Sequence, residues 1–194
     1  MNKNPTLKFA SEHNMQLEFI SRADYKVKTS PEFIASLKEK FGDFYLVPEG
    51  GTNTFSVKGC EEILTDEDAK YDIICCAVGT GGTFSGIINT LKSHQKAIGF
   101  PALKGDFLHH EIKKYILKQD NWSLNTNYHF GGYAKVSDEL IIFINKFKSE
   151  TKIPLDPVYT GKMMFGIGNL IKIYFVIMGS TILANHKGDL QEIQ

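Results

Sequence analysis

The run from Tyr71 to Leu91, YDIICCAVGTGGTFSGIINTL, constrains the fold of this 194-residue chain more than any other stretch. Ile73 to Val78 is short, unbroken and almost free of polar atoms, the pattern of a parallel-sheet strand covered on both faces. Gly79, Gly81 and Gly82 then let the backbone turn sharply and bring its N–H groups close to a ligand with no Cβ in the way. From Thr83 the apolar residues recur with helical spacing. The loop therefore lies at a helix N-terminus, where unpaired N–H groups and the positive end of the dipole face it. Thr80 and Thr83 add hydroxyl donors, and the whole suits an anion such as a phosphate. The loop lacks the Gly-Lys-Ser/Thr ending of a nucleotide P-loop. Its spacing, Gly79-x-Gly81-Gly82-x-x-x-Gly86, does not fit the dinucleotide fingerprint either. Taken alone, the loop also reads as a tight strand-to-helix turn that binds nothing.

The elements around this run alternate. Asn4-Pro5 caps a short helix running to about Asn14, and Met15 to Ile20 alternates apolar and polar residues as a half-buried strand does. Ser30-Pro31 opens a helix whose Phe33, Leu37 and Phe41 share one face. Phe44 to Val47 reads as a strand ending in the turn Pro48 to Asn53, a place where open α/β sheets put ligand groups. A helix carrying Val57, Cys60, Ile63 and Leu64 on one side leads to the central run. After it come a strand over Ala97 to Leu103, a helix over Leu108 to Leu117 and a mixed stretch from Trp122 to Phe130. The helix Asp138 to Lys148 turns Leu140, Ile144 and Phe147 inward. Prolines keep Ile153 to Tyr159 out of a helix. Thr160-Gly161-Lys162 opens a last helix through Met163, Met164, Ile167 and Leu170, and Thr181 to Ala184 is a last short strand. This order predicts an α/β fold of three layers, a parallel or mixed sheet between helices.

Composition excludes several functions. Lys+Arg and Asp+Glu are equal at 22 each, so no net field draws the chain to nucleic acid or to an anionic membrane. No signal-peptide pattern opens the sequence, and the apolar stretch Ile167 to Met178 is interrupted by Gly168, Asn169 and Lys172, so neither secretion nor membrane spanning is expected. Three cysteines, an odd number, argue against a disulfide framework and for a reducing compartment, the cytoplasm. Cys75 and Cys76 are adjacent on a strand, face opposite sides and read as small buried hydrophobes, as does Cys60 on its helix. His109 and His110 diverge by about 100° on a helix and have no third ligand at a suitable spacing, so no metal is expected. Lys58 and Lys162, near helix starts, read as solvated.

Several motifs occur in a fixed order. They are PEGGTN (Pro48 to Asn53) followed by VKGCEEIL, then VGTGGTFSG (Val78 to Gly86), GFPALKGDF (Gly99 to Phe107), YHFGGYAK (Tyr128 to Lys135) and PLDPVYTGKM (Pro154 to Met163). Together they resemble the 1-aminocyclopropane-1-carboxylate deaminase and D-cysteine desulfhydrase family of pyridoxal-phosphate enzymes, the fold type II group that includes the tryptophan synthase β-subunit. The resemblance covers nearly the whole chain. It implies that Gly79, Thr80, Gly81, Gly82 and Thr83 form the coenzyme phosphate cup. It also implies that Tyr159 is the active-site tyrosine facing cofactor and substrate, a proton donor or acceptor. Thr160 stands where the aminocyclopropane deaminases resemble one another in having a glutamate, which favours the desulfhydrase side of the family. A small amino acid, D-cysteine or 1-aminocyclopropane-1-carboxylate, is the implied substrate class, and a homodimer the implied assembly.

Two departures from the family qualify this. Its members begin with a further stretch holding the Schiff-base lysine in a GNK-x-RK-type motif and a GG-x-x-SNH-type motif, and neither occurs here. The expectation is a C-terminal portion, split or truncated. Residues 1–42 would be the remainder of the small lobe and 43–194 the large cofactor-binding lobe, inactive alone for want of the lysine or acting with a separate N-terminal part. The family's ILA-x-HTGG strand reads ILANHKGD here. His186 matches, but Lys187 replaces the threonine that meets the pyridine nitrogen and Asp189 replaces a glycine. A cation there would repel a protonated pyridine. The alternative is a non-catalytic remnant or interaction module that keeps only the phosphate site.

Overall fold

The chain divides into two compact units, Met1–Leu46 and Val47–Gln194. The computed structural model describes residues 4–117, 120–170, 176–178 and 181–184. In the first unit each helix begins where a side chain caps it. Asn4 accepts from the Leu7 N–H at 2.9 Å and starts α1 (Pro5–Glu12), and Ser21 accepts from Asp24 N–H at 3.0 Å and starts α2 (Arg22–Lys26). Ser30 does the same for Phe33 at 3.2 Å and starts α3 (Pro31–Phe41). Prolines at the first position of α1 and α3 lose no hydrogen bond there.

The strand expected over Met15 to Ile20 does not form, nor does the one over Phe44 to Val47. Alternation makes a strand only when a neighbour takes up its N–H and C=O groups, and none of the described strands pairs with either segment. None of the described residues of the first unit is buried.

The second unit is built on the apolar run. β1 (Ile73–Val78), β2 (Lys96–Pro101), β3 (Trp122–Leu124), β4 (Val176–Met178) and β5 (Thr181–Ala184) form a sheet in the order β3-β2-β1-β5-β4, with β1 at its centre. β1 runs parallel to β2, with Ile73 opposite Lys96 and Val78 opposite Pro101, and β2 runs parallel to β3. β5 lies antiparallel to β1, with Cys75 opposite Ile182, and to β4, so the sheet is mixed.

Its helices are α4 (Thr54–Cys60), α5 (Gly82–Thr90), α6 (Phe107–Lys113), α7 (Asp138–Thr151) and α8 (Thr160–Leu170). The two adjacent cysteines mark the two faces of the sheet. Cys76 packs with Val78, Phe84, Ile88, Leu108 and Ile112, from α5 and α6. Cys75 packs with Phe100, Met163, Met164 and Ile167, largely from α8, with Phe143 and Phe147 of α7 at the margin. That is three layers, as expected, and burial pushes both thiols up to about 12, far from the thiolate that would react.

Two contacts bring parts of this unit together. Gln95, buried in the turn before β2, donates to the carbonyls of Asp68 and Tyr71, each at 2.9 Å, and so ties that turn to the chain entering β1. At Gly86 a Cβ would come within 2.5 Å of Cys60 Cβ and 2.7 Å of the Val57 carbonyl, so the helices α4 and α5 touch almost backbone to backbone. This close crossing fixes the Pro48 to Asn53 turn, which enters α4, relative to the glycine loop, which enters α5. Among the described residues no helix is long and apolar enough to cross a membrane.

Candidate functional site

β1 ends at Val78, and the backbone turns into α5 over three residues, Gly79 to Gly81. Gly81 is the N-cap of α5 with φ of 96°, a conformation that glycine adopts without strain. Gly81 and Gly82 are buried, whereas Thr80 and Thr83 are exposed on the cleft they line. The first N–H groups of α5 have no partner within the helix, so they point into the same space.

The turn Pro48 to Asn53 closes the opposite side, although no strand precedes it. Its Gly50 has φ of 72°, and a Cβ there would lie 2.5 Å from Thr80 Cγ2. Thr52 Oγ1 sits 2.6 Å from Thr80 Oγ1, and a Cβ on Gly82 would approach it to 2.8 Å. The two loops thus fit each other only with glycine at those positions. Between them lies a cleft of about 470 Å³, which Ser56, Cys60, Asp156 and Tyr159 also line.

The third wall is the turn before α8. Asp156 organises it: one carboxylate oxygen accepts from the backbone N–H groups of Val158 at 2.8 Å and Tyr159 at 2.7 Å. The other accepts from Thr160 N–H at 2.9 Å and from the Thr160 hydroxyl, which in turn accepts from Asp156 N–H. Burial works to raise the Asp156 carboxyl, but these hydrogen bonds from Thr160, Tyr159 and Val158 outweigh it and hold the carboxyl below its usual range. Tyr159 is thereby set against the end of β1, where a Cβ on Gly79 would meet its Cε1 at 3.3 Å and its hydroxyl at 3.4 Å.

The ring of Tyr133 lies edge-on to Tyr159, with centroids 6.2 Å apart and planes at 64°. Burial, then Tyr133 through charge repulsion and a hydrogen bond, then Asp156 raise the Tyr159 phenol above its ordinary value. At neutral pH Tyr159 therefore carries its proton. It can donate a hydrogen bond or give up the proton only when a base takes it.

The structure brings together Gly79, Thr80, Gly81, Gly82, Thr83 and Tyr159, the six residues singled out in the sequence. It adds Tyr133, which sequence reading missed. The local signal was FGGY, since the Gly-Gly pair lets the chain fold back; Gly131 and Gly132 have φ of 91° and 120°. It also corrects Lys162. Expected to be solvated, this side chain is only 2% exposed and donates to the carbonyls of His129 at 2.9 Å and Gly132 at 2.8 Å. Burial lowers its pKa against the opposing pull of Asp156.

Lys58 is solvated as expected and pairs with Glu61 on the same helix. His109 stacks on Trp122 with centroids 4.8 Å apart. Among the described residues no lysine lines the cleft. His186, Lys187 and Asp189 lie outside the described residues.

No protein-family model matches this chain. It is 28% identical over 186 residues to a protein of Pyrococcus horikoshii provisionally named 1-aminocyclopropane-1-carboxylate deaminase, covering 84% of this chain and 57% of that protein. A protein of Thermotoga maritima with the same provisional name is 31% identical over 151 residues, covering 68% of this chain and 48% of the relative. The bifunctional D-cysteine desulfhydrase/1-aminocyclopropane-1-carboxylate deaminase of Arabidopsis thaliana, named as mitochondrial, is 30% identical over 200 residues, covering 90% and 49%. The chain thus spans about half the length of the curated relatives it matches. A crystal structure of an ACC deaminase homologue superposes with a TM-score of 0.65 at 22% identity, over 84% of this chain and 56% of that one, and establishes the fold.

Proposed function

This chain is a homologue of the 1-aminocyclopropane-1-carboxylate deaminases and D-cysteine desulfhydrases, and we propose that it supplies the coenzyme-holding portion of a pyridoxal-phosphate-dependent deaminase or desulfhydrase acting on a small amino acid. The observation that carries the proposal is the single cleft in which the glycine loop at the start of α5 faces a tyrosine fixed by Asp156. The loop fits a phosphate dianion: a Cβ on Gly82 would crowd Thr52, one on Gly79 would press on the Tyr159 ring, Gly81 is left-handed, and Thr80 and Thr83 are exposed on the cleft.

In this reading Gly79 to Thr83 hold the phosphate through backbone N–H groups and Thr80 and Thr83 through their hydroxyls. Bound there, the coenzyme would supply the electron sink for bond cleavage beside the amino group. Tyr159, protonated and firmly placed, holds a proton at its hydroxyl for the reacting amino acid, and Tyr133 tunes that phenol. Thr160 supports the desulfhydrase side of the substrate range, because its hydroxyl is spent on Asp156 and no carboxylate stands at that position. Cys60, Cys75 and Cys76 are all free thiols, which suits a reducing compartment, for which we take the cytoplasm.

That no lysine lines the cleft among the described residues leads to a specific expectation. With pyridoxal phosphate added, the chain by itself forms pyruvate from D-cysteine or 1-aminocyclopropane-1-carboxylate no faster than free pyridoxal phosphate does. Turnover requires a lysine brought by another segment or chain. Pyruvate release by the purified chain well above the free-coenzyme rate would overturn that expectation. The same lining favours, as the second reading, a phosphate-binding module without chemistry. In that case supplying a lysine-bearing partner would restore nothing.

A further inference from the structure

The turn that carries Tyr133 is unusual in its backbone. Phe130 has φ of 52°, Gly131 of 91°, Gly132 of 120° and Ala134 of 55°, so two residues with side chains sit in the left-handed region within five positions. Each costs about 1–2 kcal/mol relative to an ordinary conformation, and such a turn persists only where its surroundings hold it. Its own hydrogen bonds are modest: Gly132 N–H donates to the His129 carbonyl at 3.0 Å, Gly131 N–H to His129 Nδ1 at 2.9 Å and Lys135 N–H to the Gly132 carbonyl at 3.2 Å.

Both carbonyls met by Lys162 therefore already have a backbone donor. The ammonium is not needed to satisfy them. It is a second donor to each, and because it is charged the bonds are stronger than those between neutral groups. Burying that charge is costly, and its two carbonyl partners are what the ammonium meets there.

Lys162 lies in the first turn of α8, and Tyr159 is the residue immediately before that helix. Asp156 fixes the start of that helix, and Lys162 reaches from it to both ends of the turn. We infer that Lys162 is a positioning residue for the site: its buried ammonium clamps the His129 to Gly132 turn and so sets Tyr133 against Tyr159. The inference rests on the site reading above and deepens it, since that reading places the Tyr159 phenol at the reacting amino acid and has Tyr133 tune it.

The test uses the full chain labelled with 3-fluorotyrosine, its fluorine NMR resonances assigned with Tyr133→Phe and Tyr159→Phe, and no coenzyme present. Tyr133 is already 57% exposed, so what Lys162 sets is its place beside Tyr159: in Lys162→Met the Tyr133 resonance is expected to leave its wild-type position as the ring contact is lost, and that of Tyr159 to shift with it. Leu108→Ala, a core truncation on the other face of the sheet, is expected to lower the melting temperature and leave both resonances in place. If Lys162→Met does not fold, Lys162→Gln, which keeps one donor group without the charge, carries the same expectation. Wild-type positions for both resonances in the folded variant would overturn the inference, as would an equal movement in Leu108→Ala. Pyridoxal phosphate is then added to the wild-type chain. Absence of binding there would count against the coenzyme reading and leave the tyrosine spectra as the judge of Lys162.

Discussion

Gly82→Val is expected to lower the affinity for pyridoxal phosphate at least a hundredfold, about 3 kcal/mol, while the chain stays folded. Even a Cβ at this position would reach 2.8 Å from Thr52 Oγ1 and 3.2 Å from Thr52 Cγ2, and valine adds two methyl groups beyond it. The side chain cannot turn inward. It must push the Pro48 to Asn53 turn away from Thr80, to which Thr52 is bonded at 2.6 Å, and the cleft loses the wall opposite the N–H groups of α5. The substitution leaves β1 and the body of α5 untouched, so melting should change far less than binding. Thr83→Ala provides the scale, since removing one exposed hydroxyl from a charged phosphate is worth about 1.5–3 kcal/mol. Calorimetric titration of the three proteins with pyridoxal phosphate gives the comparison. Equal affinities in wild type and Gly82→Val would mean that the coenzyme does not sit on this loop.

The second large effect concerns stability. Phe84 is 1% exposed, lies edge-on to Trp122 with centroids 6.1 Å apart, and fills the space left by Gly99, where a Cβ would come 2.9 Å from Phe84 Cε1. It joins the third residue of α5 to β2 and β3 at once. Phe84→Ala should therefore cost about 3–5 kcal/mol. That is a large part of the 5–15 kcal/mol or so by which a domain of ordinary size is stable. Urea unfolding followed by circular dichroism should show a midpoint shifted strongly downward with an unchanged slope. A loss below about 1 kcal/mol would mean that α5 is not anchored through this ring. Because α5 presents the glycine loop, the same variant should also bind phosphate ligands less well at temperatures near its melting point.

The centre of the fold was legible because its signals are local. Ile73 to Val78 has no residue that could face water comfortably on either side, and three glycines in four positions mark where the strand must turn. The order of motifs identified the family because each motif is short and contiguous. Signals depending on partners were not legible. Met15 to Ile20 has the alternation of a strand, but none of the described strands pairs with it. α2 has five residues, too few to show a helical period.

The site was legible to the same extent and for the same reason. Gly79 to Thr83 and Tyr159 lie in contiguous motifs. The glycine pair beside Tyr133 announces a turn, but not that Phe130 and Ala134 also adopt positive φ or that the turn brings Tyr133 to Tyr159. Lys162 was misread because its acceptors lie 33 and 30 residues away along the chain, at His129 and Gly132. A lysine near a helix start is solvated unless distant carbonyls converge on it, and that convergence is a property of the assembled fold.

The most direct test of the account compares pyridoxal phosphate with pyridoxal, which has the same ring and aldehyde but no phosphate. Both are titrated into the purified chain by calorimetry, with inorganic phosphate as competitor. If the loop from Gly79 to Thr83 holds the coenzyme, pyridoxal phosphate saturates one site per chain, inorganic phosphate displaces it, and pyridoxal binds at least a hundredfold more weakly. Equal binding of the two, indifferent to inorganic phosphate, would place the contact at exposed lysines and contradict the account.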